Sequence, residues 1–526
     1  MKIDFKNNWH LLAVLILSLI TFILFISRVI QNFNFTVDDS FITFRYVNHL
    51  ANGFGLVWNI GDVKPTEGFT SLLWILVLFP AEFLRIDIVL YSKIISVIFT
   101  FILILVLLYF IDAQIQIKKE HKEFRLITVF ISAIVISIFL SSVDLVAHIV
   151  SGMETILITL LVTLLTILFI NYYQKPGKLK ALIIAFVSIL VGLTRPEFNL
   201  FSLSGIVGLI FISKYKRDLV KYCLGVYLLI GTTYYICRFY YFGLPFPLPF
   251  YVKQFKPDQI FPGLLPTLQF GLKYSIFFLI VFYSLLGLGG LRNVKPLVPV
   301  LTAIILLLMY SLSVQHIMSY NNRYLFPLFP PIILVFIYLI SLKSYIILSK
   351  GFRVLILMCL VLGFSFSQVY YYGNVRKALA TYTIGMQQAH VKLGRLLNEL
   401  NFIGNYSIAL GDAGAIPYYS KWYTIDTFGL NNRIIALNIQ KGIYNVNDIF
   451  SILPDLIIVL SSSGKEFKPL LKNEILIYDD LKNFGYKKIG DMEFSTQYYL
   501  WIYSNNETIK KFILNNLSSD SKFRRY

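Results

Sequence analysis

Asp38 and Asp39 stand side by side in "TVDDSFITFRYVNHLANGFG", directly after the apolar run from His10 to Ile30. Two adjacent carboxylates repel each other, and at the edge of a bilayer they are costly unless something uses them. Residues 39–52 have the spacing of a short amphipathic helix. Phe41, Phe44, Val47 and Leu50 recur every three residues, and Gly53 is a natural terminator. Asp38 then has two readings: it caps this helix, or it stands at the positive helix end as an ionised base able to accept a hydroxyl proton. A cap needs one carboxylate, and the sequence supplies two. A divalent cation (Mg, Mn or Ca) on Asp38 and Asp39 is the one cofactor left open, although the motif brings few further oxygen ligands.

Cationic residues suited to an anion recur further along. "TRPE" places Arg195 and Glu197 between apolar runs of about 13 and about 16 residues, neither of which fully crosses ~30 Å of hydrocarbon. Arg195 either pairs with Glu197 or binds a phosphate bidentately. Lys253 closes the proline-rich stretch "YYFGLPFPLPFYVK", and "HIMSYNNRYLFP" supplies His316, Asn322 and Arg323 just before another apolar run. Lys253 and Arg323 are either interfacial anchors or converge with Arg195 on one anionic headgroup. Glu154 lies in "SGMET", which has the Ser-x-x-Glu form of a capping box. Asp412, in "GDAGAIPYYS", follows an expected strand and either caps a helix or faces the site. Walker, dinucleotide, zinc-protease and nucleophile-elbow motifs are absent from the sequence.

The elements that must position these residues are largely apolar. The chain has 526 residues, 57% hydrophobic and 14% charged, with a mean hydropathy of +0.70, which marks a polytopic membrane protein. Apolar segments recur near 10–30, 88–111, 126–142, 153–173, 181–193, 198–213, 222–240, 270–290, 297–314, 326–342 and 354–368. The first is expected to be an uncleaved signal anchor. Short basic gaps alternate with lysine-poor ones rich in Pro, Gly and Tyr, which assigns the basic set to the cytoplasm and turns the net charge of +19 into a topology signal, with no nucleic-acid partner implied.

The alternation requires that "TSLLWILVLFPAEFL" (70–84) lie at the interface without spanning. The expectation is about eleven spans over 1–368, a first outer loop at 31–87, a cytoplasmic N-terminus and a compact extracytoplasmic α/β domain over 369–526. "YSIALGDAGAIPYY", "YTIDTFGL", "PDLIIVLS", "EILIYDD" and "YYLWIYS" read as its strands. Cys223 and Cys237 lie roughly 21 Å apart along one expected helix, too far for a disulfide.

Taken in order, "DDSFITFRYVNHLANGFGLVWNIGD", "EGFTSLLW", "SGMET", "LTRPE", "YFGLPFPLPFYVK", "NNRYLFPLFP" and "GDAGAIPYYS" with "IDTFGLNN" resemble bacterial membrane glycosyltransferases of the GT-C class. The chain is similar to their mycobacterial terminal arabinofuranosyltransferase branch, over about residues 36 to 432. The resemblance implies a multispan helical enzyme of the bacterial cytoplasmic (inner) membrane with an extracytoplasmic C-terminal domain. It also implies a polyprenyl-phosphate sugar as donor and a cell-envelope glycan or glycolipid as acceptor. The acidic pair of the first outer loop is that family's catalytic signature, here Asp38 and Asp39, and Glu67 and Gly68 match its "EG" element. The expected roles are one carboxylate of the catalytic pair Asp38 and Asp39 as base, Arg195, Lys253 and Arg323 on the donor phosphate, with Glu67, Glu154, Glu197, His316 and Asp412 in support. A transporter or flippase for a lipid-linked anionic glycan is the alternative; it would use the same cations but has no need of a paired acid.

Overall fold

The computed structural model describes residues 9–116, 122–253, 261–274, 291–314, 316, 320–341 and 350–526. The chain divides into two compact units: Met1–Phe33 with Ser92–Tyr235 and Phe255–Arg376, and Asn34–Tyr91 with Ile236–Gln254 and Lys377–Tyr526. The second unit therefore gathers most of the expected first outer loop, the proline-rich stretch and the C-terminal segment. The expected junction at 368/369 falls inside one helix, Lys350–Gly385.

Among the described residues six helices are long and apolar enough to cross a membrane: Leu12–Gln31, Ile88–Gln114, Thr155–Gln174, Lys216–Phe242, Val294–Ser313 and Tyr320–Leu339. A seventh is counted if Val129–Ser141 and Val143–Val150, bent by 62°, form one span. The runs expected at 181–193 and 198–213 form the helices Lys178–Thr194 and Asn199–Ile212, joined by a short 3-10 turn, Pro196–Phe198. Much of the run expected at 270–290 lies outside the described residues. The segment 70–84 is too short to span, and it breaks where Pro80 cannot donate an amide hydrogen: Leu72–Leu78 ends there and Pro80–Leu84 begins.

Within the first unit, Thr155–Gln174 is buried almost all round, as expected of a helix apolar on every face. The bend before Val143 has a local cause. Ser142 is extended (ψ 122°), and the amide of Val143, lost to the helix ladder, donates to Gln368 Oε1 at 3.2 Å.

The second unit is built on a six-stranded sheet: β1 Ser407–Leu410, β2 Tyr423–Asp426, β3 Leu456–Ser461, β4 Lys487–Ser495, β5 Tyr498–Ser504 and β6 Phe523–Arg525. Strand order is β2-β1-β3-β5-β4-β6, with β2, β1 and β3 parallel and the remainder antiparallel. β3 is buried at every position, which fits its uninterrupted "LIIVLS" and a central strand covered on both faces. Ala409, Ile425, Ile457, Val459, Trp501 and Tyr503 line one face, with Ile435, Phe450 and Ile477 from helices packed over them.

"EILIYDD" is not a strand. It lies in the helix Lys472–Asp480, because Glu474 and Ile477, three apart, both turn inward. β4 escaped the sequence reading: "KKIGDMEFS" is polar, and its register slips at Lys488/Gly490 and Glu493/Ser495.

The first-loop helix runs from Asp38 to Ala51, one residue from the expected bounds, and Gly53 (φ +82°) follows it in the left-handed conformation that favours glycine. It is not amphipathic. Phe41, Phe44 and Val47 are buried, and so are Arg45, Tyr46 and His49 on the remaining faces. Arg45 explains how a cation is tolerated there. Its guanidinium donates to the carbonyls of Trp58 (2.8 Å), Pro417 (2.8 Å) and Trp422 (3.0 Å) and to Asn59 Oδ1 (3.1 Å), while lying 4.5 Å over the Trp58 ring.

Candidate functional site

Asp38 opens the first-loop helix, yet its carboxylate turns from that helix to the first amide of another, Ala415–Ser420. Its Oδ1 instead accepts the amide hydrogen of Ala415 at 2.9 Å and lies 3.2 Å from His390 Nδ1. The approach depends on Gly414, where a Cβ would stand 2.2 Å from the Asp38 carbonyl and 2.4 Å from Oδ2. The Asp38 amide donates to Tyr382 Oη at 3.0 Å, so both ends of the residue are held. Asp39 beside it is half-buried.

His390 is the centre of the arrangement. It sits in a single π-helical turn, Met386–Val391, of the kind that recurs at functional sites. Its Nδ1 faces Asp38 and its Nε2 lies 3.2 Å from Asp412 Oδ2. Asp412 in turn accepts a hydrogen bond from Tyr498 Oη at 2.5 Å. The four side chains form one chain: Asp38, His390, Asp412, Tyr498. The Phe494 ring, 4.8 Å from the imidazole, closes one side, and Gly385 lets the helix settle onto β4, since a Cβ there would meet the Phe494 carbonyl at 2.4 Å.

Burial alone would push the His390 imidazole down. The hydrogen bond to Asp38 and the close approach of Asp412, together with both charges, outweigh it and raise His390 to about 10. Asp38 is displaced upward, by burial first and by the charge of Asp412, with the His390 hydrogen bond pulling it back. The arrangement is therefore an imidazolium held between two carboxylates at neutral pH, with Asp38 a stronger base than an exposed aspartate. Among the described residues no group of three or more His, Cys, Asp or Glu side chains is arranged to hold a metal ion, so the donor set does not fit a divalent cation bound by Asp38 and Asp39.

Glu67 belongs to the same unit but does a different job. It forms a bidentate ion pair with Arg238, Nε to Oε1 at 3.0 Å and Nη2 to Oε2, and Arg238 Nη1 donates to the carbonyls of Leu244 and Pro245. The Glu67 carbonyl accepts from Leu248. The pair thus pins the proline-rich stretch to the first loop. Lys253, half-buried at the end of the helix Leu248–Val252, donates its amide to the Pro249 carbonyl, and its side chain makes no hydrogen bond or ion pair with a described residue.

The remaining expected residues gather in the first unit. Arg195 is almost fully buried and pairs with Glu197 (Nε at 2.8 Å, Nη2 at 2.7 Å), while its Nη1 stands 3.7 Å from Glu154 Oε1 and makes no hydrogen bond. Arg323 Nη2 approaches the same Glu154 oxygen at 3.5 Å. Both guanidiniums lie over the Tyr324 ring, at 4.6 and 5.6 Å, and His316 packs against that ring from 5.4 Å. Arg195, Arg323, Glu154, Glu197 and His316 are therefore one cluster within the first unit; Lys253 belongs to the second unit. "SGMET" is not a capping box. The helix starts at Thr155 without a side-chain cap, and Glu154 turns to the arginines because two cations offer a buried carboxylate more than one amide does.

Asp412 likewise caps no helix. His390 and Tyr498 went unread because each is an isolated residue on an otherwise structural element, 352 and 460 positions from Asp38 as the chain runs, without a spacing that joins them. Asp144, hidden in the apolar "SSVDLVAHIV", was also missed, although a carboxylate inside an apolar run is itself a signal.

Residues 377–510 match a family described as a domain of unknown function, DUF8728. The match begins where the C-terminal segment of the second unit begins and includes His390, Asp412 and Tyr498. No curated protein matches the chain.

Proposed function

We propose that this chain is a GT-C-like inverting glycosyltransferase that moves a sugar from a polyprenyl phosphate to a cell-envelope glycan or glycolipid, on the outer face of the bacterial cytoplasmic membrane. The observation that carries the reading is the buried Asp38, aimed away from its own helix and held by His390 and the Ala415 amide. A carboxylate whose proton affinity burial raises, and which an imidazolium holds in place, is suited to accept a proton.

In the reaction the acceptor hydroxyl gives its proton to Asp38. Its oxygen bonds to the anomeric carbon while the carbon–oxygen bond to the phosphate breaks, and the phosphate leaves with both electrons. The transition state has oxocarbenium character, so a modest base suffices. The leaving phosphate needs charge neutralisation more than protonation. Within the first unit Arg195 and Arg323 are the cations suited to a phosphate: they share a buried carboxylate, and Arg195 Nη1 makes no hydrogen bond. His390 holds Asp38 ionised between turnovers, and Asp412 with Tyr498 holds His390. Several helices of spanning length support a membrane-embedded enzyme acting on a lipid-linked donor.

The test is incubation of purified protein with a panel of polyprenyl-phosphate sugars and a glycan acceptor, with products read by mass spectrometry. Transfer by the wild type and its loss in Asp38→Asn is expected. Undiminished transfer by Asp38→Asn removes the assignment. Replacing Arg195 by Lys is expected to weaken donor use more than folding, and unchanged donor affinity in that variant counts against the phosphate role.

A further inference from the structure

Asp144 lies in the short helix Val143–Val150 beyond the 62° bend and is fully buried. A carboxylate in such a place is tolerated only when its lone pairs are filled. Here four donors converge on it: Lys273 Nζ and Asn321 Nδ2 (3.1 Å) on Oδ1, Tyr274 Oη (2.9 Å) and Asn322 Nδ2 (3.0 Å) on Oδ2. The four come as two pairs of consecutive residues, Lys273–Tyr274 and Asn321–Asn322, and the second pair immediately precedes Arg323.

Asn321 (φ +47°) and Asn322 (φ +56°) both adopt left-handed backbone, a conformation asparagine tolerates singly but that two neighbours rarely share without support. The support is visible. Each oxygen of Asp144 takes one of the two amides, and His148, one helical turn after Asp144, places Nε2 2.9 Å from the Asn321 carbonyl. The turn then closes on itself, the Arg323 amide donating to Tyr320 and the Leu325 amide to Asn322. Its product is the placement of Arg323 against Glu154 and over Tyr324.

We infer that Asp144 is a positioning residue: by gripping Asn321 and Asn322 it sets the turn that aims Arg323 at the anion cluster. The inference rests on the proposed phosphate role of Arg323 only for its functional consequence; the grip itself is independent of it.

The experiment uses the full chain in detergent micelles and two readouts. The first is amide hydrogen exchange over the peptide 320–326. Asn322→Gly deletes the amide while keeping the left-handed backbone easy, so it isolates the tether. Exchange over 320–326 is expected to quicken about tenfold, the ratio given by losing one charge-assisted hydrogen bond, while Thr155–Gln174 keeps its protection. Asp144→Asn would strand the Lys273 cation, so Asp144→Asn with Lys273→Met carries the test of the carboxylate and is expected to quicken the same peptide. Unchanged exchange in both variants overturns the inference.

The second readout is affinity for an added polyprenyl monophosphate, expected to weaken about tenfold in Asn322→Gly. Faster exchange with undiminished affinity upholds Asp144 as the anchor of the turn and overturns the phosphate reading of Arg323.

Discussion

Replacing His390 by Gln tests the imidazolium directly. In the folded protein two carboxylates raise this residue from the ordinary 6.5 to about 10. A base raised on folding contributes stability that is fully present below the lower value and is lost as pH climbs through the higher one. Each pH unit in that interval corresponds to ~1.4 kcal/mol, so the whole interval bounds the contribution at roughly 5 kcal/mol. The residue is fully buried, so solvent screening removes little of this, but the desolvation of Asp38 and Asp412 does subtract from it.

Glutamine is neutral and has one amide group to offer two carboxylates on opposite sides, so His390→Gln leaves both without the charge and at least one without a donor. Thermal unfolding of wild type and variant in the same detergent, from pH 6 to pH 10, reads the difference. For a unit of this size about 1 kcal/mol moves the midpoint by ~2–4 °C. The gap is expected to be widest near pH 6–7, up to about 10–20 °C, and to close towards pH 10, where the wild-type imidazole is giving up its proton. Groups common to both proteins drop out of the comparison. A gap that stays constant across the range would mean that His390 acts through packing alone, and the charged-relay argument would fail.

Asp38→Asn is expected to lower sugar transfer by ~100-fold or more with unchanged far-UV circular dichroism, the size of effect general-base removal produces. Glu474, nearly fully buried, is pushed up by burial from 4.5 to about 8, so the stability it lends is present below pH 4.5 and lost as pH rises through about 8. Glu474→Gln should therefore be close to neutral near pH 4 and raise the melting midpoint relative to wild type increasingly from there to pH 9. Arg45→Met strips donors from the carbonyls of Trp58, Pro417 and Trp422 and is expected to cost about 3–5 kcal/mol, read as a lower midpoint in thermal denaturation. Arg45→Lys should recover little of it, because an ammonium cannot span the same oxygens. Gly414→Ala drives a methyl into Asp38 and is expected to impair transfer and lower the midpoint together; normal values of both would contradict the close approach.

The elements governed by local pattern were legible. The first-loop helix, the break at Pro80 and the strands "LIIVLS" and "YYLWIYS" follow from periodicity, proline chemistry and apolar runs. "EILIYDD" misled because a short alternating stretch fits strand and helix equally, and only the packing of Glu474 and Ile477 decides. At the site, Asp38 was legible as a carboxylate in surplus at a helix start, and Arg195–Glu197 as neighbours with nowhere else to go. What Asp38 and Glu154 do was not legible, because in both cases capping lost to a partner distant in the chain: His390 for the one, Arg195 and Arg323 for the other. Sequence spacing is blind to such pairs. The gathering of 34–91 and 377–526 into one unit was likewise invisible to a reading that cuts the chain where its composition changes.

The distance along the chain between Asp38 and the groups that hold it also fixes when the base can exist. A nascent chain that has released its first loop presents the aspartate exposed, with neither His390 nor the Ala415 amide yet made, and Arg45 with none of its carbonyls from 417 and 422. Only after those late residues arrive can the loop helix be locked, so assembly of this unit is necessarily non-local and slow relative to its helices. An incomplete molecule is thus left with its Asp38 carboxylate unheld, so the buried Asp38–His390–Asp412 arrangement is a mark of the finished chain.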